Sequence, residues 1–89
     1  MYLNSEVIKQ LNAFLEGHKD VSFTSAQLYS NFFEPLIGHF FLPSNATSVT
    51  QTLTEPMNFK RLHMKAEKIK NRYHYQYDKR ISTITGYKK

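Results

Sequence analysis

Eighty-nine residues leave room for one hydrophobic core and no second, and a chain 40% apolar and 15% aromatic is too apolar for a disordered segment. The absence of cysteine excludes disulfides, thiolate metal sites and thiol nucleophiles. The formal net charge of +5 is split unevenly: residues 1–55 carry two lysines against five carboxylates, a net −3, whereas residues 56–89 carry ten Lys and Arg against Glu67 and Asp78, a net +8.

In chain order, Val7, Ile8, Leu11, Phe14 and Leu15 fall on one helical stripe that Asn4 or Ser5 can cap. This predicts a helix over 4–16, stopped by a left-handed Gly17. "VSFTSAQLYSNFF" then reads as a very short strand at 21–23 and a helix over 25–33. Thr24 and Gln27 stand at capping-box spacing, Phe23 and Leu28 form a hydrophobic staple, and Pro35 ends the helix. Two prolines and a glycine divide "EPLIGHFFLPSN" (34–45), where a short strand, a helical turn and a loop all remain open. A helical region over 45–69 follows. Ser48 and Gln51 repeat the capping-box spacing, Val49 and Leu53 pair inward, and Phe59, Leu62, Ala66 and Ile69 form a stripe after Pro56, with Thr54 able to cap a second helix. The end of the chain predicts a hairpin over 71–86 with a two-residue Lys79-Arg80 loop and Tyr75 opposite Ile84. Alternation puts Tyr73, Tyr75 and Tyr77 on one face, the expected core face, with Arg72 pointing outward.

Helix, short strand, capped helix, helical region and C-terminal hairpin: in this order the chain resembles the winged helix-turn-helix superfamily. "VSFTSAQLYSNFF" matches the strand and first motif helix, "ATSVTQTL" the start of the recognition helix, and "RYHYQYDKRISTI" the wing. The resemblance implies an α+β fold of three or four helices with a β-hairpin wing, double-stranded DNA as partner, and a homodimer on two half-sites. It departs from the family where about a dozen residues replace the tight turn between the motif helices. An alternative recognition helix begins after Pro56, in "PMNFKRLHMKAEK".

On this reading Ser48, Thr50 and Gln51 face base edges or phosphates, unless Ser48 and Gln51 merely cap a helix. Lys60, Arg61, Lys65, Lys68, Lys70 and Arg72 contact phosphates, and Lys79 and Arg80 form the wing tip. The expected role is sequence-specific or architectural DNA binding by a small transcriptional regulator or a replication or partition accessory factor, with a composition that suits a phage, plasmid or virus. The rival expectations are an interaction module docking an acidic protein, such as a mobile-element inhibitor of a host complex, and an RNA-binding domain using the hairpin tyrosines. Catalysis has no support: no phosphate loop, nucleophile elbow or carboxylate pair is present, no cofactor is implied, and His63 with Glu67 is a lone pair rather than a metal site. No apolar run approaches the roughly 20 residues of a membrane span. "MYLNSEVIKQ" lacks a signal-peptide pattern, so the expected setting is cytoplasmic, nucleoid-associated or inside a host cell.

Overall fold

The structure, a computed structural model, describes residues 1–79 and the backbone of 83–85. Helix α1 (Ser5–Gly17) is capped by Asn4, whose side-chain oxygen accepts the Glu6 N–H at 2.7 Å. It buries Val7, Ile8, Leu11 and Leu15, the predicted stripe. Gly17 is not left-handed, contrary to expectation; among the described residues the only glycine with positive φ is Gly38. The helix end is closed instead by His18, whose N–H donates to the Leu15 carbonyl and whose ring nitrogen lies 2.9 Å from the Phe14 carbonyl.

Strand β1 (Phe23–Thr24) leads directly into helix α2 (Ser25–Leu28). Thr24 accepts the Gln27 N–H at 3.2 Å while the Gln27 side chain accepts the Thr24 N–H at 2.9 Å, a reciprocal capping box. The helix continues as a wide π-turn over Tyr29–Phe33 and a tight turn over Glu34–Leu36. Asn31 supplies a cause for the widening: its amide donates to the Gln27 carbonyl at 2.9 Å, inserting a side chain into the backbone ladder.

Helix α3 (Ala46–Thr54) is capped by Asn45, whose side chain accepts the Ser48 N–H at 2.8 Å. Ser48 is therefore the third residue of the helix and not its cap. Helix α4 (Pro56–Phe59) is a single turn, and the predicted continuation to Ile69 does not form. From Leu62 onward burial alternates: Leu62, Met64 and Ala66 are buried, and His63, Lys65 and Glu67 are exposed. That is strand periodicity, and the helical spacing of Leu62, Ala66 and Ile69 was coincidental. Asn12 of α1 makes the change of direction affordable. Its side-chain oxygen accepts the His63 N–H at 2.8 Å, and its amide donates to the Arg61 carbonyl at 3.2 Å, so these backbone groups need no helix.

Strands β2 (Met64–Ile69) and β3 (Arg72–Tyr77) form the hairpin, joined by Lys70-Asn71. Both turn residues have positive φ, 50° and 67°, the backbone of a two-residue turn that follows the strand twist. The hairpin predicted over 71–86 with its loop at 79–80 is thus displaced toward the N-terminus. β3 is central: it pairs antiparallel with β2 on one side and β1 on the other. Strand β4 (Thr83–Thr85) runs parallel to β2 at the sheet edge, giving the order β1-β3-β2-β4. Tyr75 lies opposite Ala66 and Phe23, not opposite Ile84.

The helices cover one face of this sheet, so the chain is α+β. The inner face carries Met64, Ala66, Tyr73 and Tyr75, all buried among Leu11, Leu28, Phe33 and Leu53. Among the described residues no helix is long and apolar enough to cross a membrane.

Candidate nucleic-acid interface

The register of the hairpin decides where its cations go. Met64, Ala66 and Lys68 oppose Tyr77, Tyr75 and Tyr73, so all six share the inner face. Met64 and Ala66 are covered by the helices, but Lys68 lies beyond them and is exposed. There its ammonium lies 5.8 Å from the centre of the Tyr73 ring.

Beside Lys68 is an open groove of about 280 Å³. The first residues of α2 (Ser25, Ala26) and of α3 (Ala46, Thr47) line it, with Lys68 and Arg72 closing it from the hairpin. None of the lining residues is a carboxylate. The long connection between α2 and α3 now has a geometric role. A helical run from Ser25 to Leu36 travels away from the groove, and the following residues carry the chain back so that α3 also starts there. A tight turn would have left the start of α3 at the far end of α2.

Hydroxyls from three elements meet at the groove floor. Thr50 Oγ1 donates to the Ala46 carbonyl at 3.3 Å and lies 2.6 Å from Ser25 Oγ, which in turn lies 3.0 Å from the Tyr75 hydroxyl. The donors are satisfied in sequence when Tyr75 donates to Ser25 and Ser25 to Thr50. Burial pushes the Tyr75 phenol above its ordinary value, against the opposing effect of the Ser25 and Thr50 hydrogen bonds.

The predicted site residues separate into distinct groups. Lys68 and Arg72 border the groove, and Lys70 stands at the hairpin tip between them. Gln51 is exposed on α3, while Ser48 is half-buried. Thr50 lines the groove, with its hydroxyl committed to Ser25 and Ala46. Arg61 is taken by the fold: its guanidinium donates to the Leu3 carbonyl at 2.8 Å and to Ser5 Oγ at 3.2 Å, and lies 4.4 Å over the Tyr2 ring. Lys65 and Lys79 belong to a second groove, of mixed charge, with Glu16, Asp20 and Asp78. Lys60 is exposed after α4 and borders neither groove, and Arg80 lies outside the described residues.

His63 immediately precedes β2 and Glu67 lies within it, so extended rather than helical backbone separates them, by roughly 13 Å over four residues. No group of metal-binding side chains occurs among the described residues. Sequence reading missed Thr24, Ser25, Thr47 and Asn71 as groove residues. The signal for the first two was present, because a capped helix start places a hydroxyl at its tip. Comparison of the chain with protein-family models, curated proteins and solved structures found no match.

Proposed function

We propose that the protein is a small winged-helix-like binder of double-stranded DNA, with α3 as the reading helix and the β2–β3 hairpin as the wing. The observation that carries this reading is the common groove: the first turn of α3 and a hairpin tip bearing Lys68, Lys70 and Arg72 flank the same opening, whose lining contains no carboxylate. The order α1-β1-α2-α3-α4-β2-β3-β4 supports it, since a helix, short strand, capped helix, helical region and hairpin in succession are what the winged-helix resemblance implies, with β4 added at the edge of the sheet. The cations supply phosphate attraction, and Thr47 and Gln51, exposed one helical turn apart on α3, supply side chains for base edges.

The test is fluorescence anisotropy with a labelled random duplex across a salt series. A steep negative slope of log affinity against log salt is expected, because binding releases counterions from the neutralised phosphates. Lys70→Ala with Arg72→Ala should weaken binding and flatten that slope; a duplex affinity that ignores both salt and these substitutions removes the reading. A regulator or a replication or partition factor remains the role that fits such a binder.

A second reading has its own observation. Phe41 is 84% exposed, between half-buried Phe40 and buried Leu42, so the connection presents a bare aromatic ring. Aromatic anchors of that kind suit a protein partner. Under this reading Phe41→Ser abolishes partner capture while duplex binding is absent.

A further inference from the structure

We propose that the groove between α2, α3 and the hairpin tip is a seat for a single phosphoryl group, held between Lys68 and Arg72. Only the source of that group, a nucleic-acid strand, rests on the DNA-binding reading; the seat itself rests on the geometry.

Strand alternation reserves the inner face of β2 for the core, and Met64 and Ala66 obey it with no exposed surface. Lys68 occupies the next inner position. An apolar side chain there would extend the core, whereas a lysine puts a cation at the groove, 5.8 Å from the centre of the Tyr73 ring. Arg72 pairs with Ile69, so strand alternation sets it on the opposite face from Lys68, and it borders the same opening at the hairpin tip, next to Asn71 of the positive-φ turn. Among the described residues neither cation forms a salt bridge with a carboxylate. Two like charges border one concave site with no opposing charge in its lining, and an anion relieves their repulsion.

The remaining lining selects the kind of anion. Thr24 and Thr47 put two hydroxyls at the groove that can donate to phosphoryl oxygens without adding charge, while the Ser25 and Thr50 hydroxyls are spent on Thr50 and on the Ala46 carbonyl. Arg72 offers the planar donor fork that matches phosphate, and Lys68 offers a point charge. A pair of cations matches the nearly doubly negative charge of a phosphomonoester at neutral pH. A terminal phosphate of a strand fits that description best, and an internal backbone phosphate carries half the charge.

The experiment is a titration of the full ¹⁵N-labelled chain with inorganic phosphate, followed by amide chemical shifts, against sodium chloride at matched ionic strength. Saturable shifts in the roughly millimolar range are expected at Thr24, Ala46, Thr47, Lys68 and Asn71. Lys68→Gln and Arg72→Gln should each weaken this binding roughly tenfold, the loss of one charge-assisted contact. Both side chains are exposed, and far-UV circular dichroism confirms that the variants remain folded. Lys9→Gln, on the exposed side of α1, should change nothing. Shifts that fail to saturate, that chloride reproduces, or that survive both groove substitutions overturn the seat.

A second arm compares short duplexes ending in 5′-phosphate or 5′-hydroxyl. Tighter binding of the phosphorylated ends, lost in Lys68→Gln, identifies a strand terminus as the source. Equal binding that is still lost in Lys68→Gln assigns the seat to internal phosphates. Saturable phosphate binding without duplex binding keeps the seat and removes the DNA reading; duplex binding without phosphate saturation does the reverse.

Discussion

Asn58 is fully buried and ties three parts of the chain together. Its carbonyl oxygen accepts the Leu3 N–H at 2.9 Å, and its amide donates to the carbonyls of Met1 at 2.6 Å and Thr52 at 3.0 Å. Replacement by leucine has a similar volume but leaves buried backbone groups unpaired, and Asn58→Leu should lower stability by about 2–4 kcal/mol in urea unfolding. Tyr75 is the corresponding residue on the sheet. Loss of its hydroxyl in Tyr75→Phe should cost about 1 kcal/mol at neutral pH, since Ser25 retains its bond to Thr50. The advantage fades in alkali. Burial raises the folded phenol above 10.0, the unfolded value, so this residue's contribution is complete below pH 10 and is lost as pH climbs from there through the folded value. Alkaline unfolding curves should therefore converge, with Tyr75→Phe losing less stability above pH 10 than the parent chain. Asn58 was invisible to pattern reading, because an asparagine two residues past a proline reads equally well as a loop residue.

Among the elements, the two helices with strong local signals were legible. The apolar stripe of α1 and the Thr24–Gln27 box of α2 each involve residues within four positions, where local geometry fixes the partners. The β2–β3 hairpin was not, because Lys70-Asn71 only half resembles a favoured turn sequence. Asparagine tolerates a left-handed backbone, but lysine does so at a cost. Converting the pair to Asn-Gly, with Lys70→Asn and Asn71→Gly, should stabilise the protein by about 1 kcal/mol. Lys70→Pro should do the opposite, because the ring holds φ near −65° where the turn has 50°, and hydrogen exchange across β2 and β3 should accelerate. Leu62-His63-Met64-Lys65-Ala66-Glu67 alternates cleanly, yet Leu62, Ala66 and Ile69 also satisfy a helical spacing. The tie was broken from outside the segment, by Asn12 holding the backbone at Arg61 and His63 and by β3 offering a partner strand.

Across the whole molecule the described cations after residue 56 do not form one face. Lys68, Lys70 and Arg72 collect at the hairpin tip beside α3, whereas Lys65 and Lys79 lie among Glu16, Asp20 and Asp78. Equal changes in net charge should therefore have unequal effects on duplex binding. Lys68→Ala with Arg72→Ala should weaken it well over tenfold at moderate salt, and Lys65→Ala with Lys79→Ala by only a small factor, both read by anisotropy under the same buffer. Similar losses from the two pairs would mean that net charge alone governs the affinity.

From the sequence by itself came the amphipathic helices, the inward tyrosines and the concentration of cations in the later residues, all properties of local spacing and composition. Tertiary structure decided which cations remain available. Arg61 was drawn into hydrogen bonds with Leu3 and Ser5, two lysines were placed among carboxylates, and the register of one hairpin set Lys68 on the inner face just past the edge of the core. A strand's register is fixed by its partners, and a one-residue slip would exchange its faces, so no reading of β2 alone can say which way its lysines point.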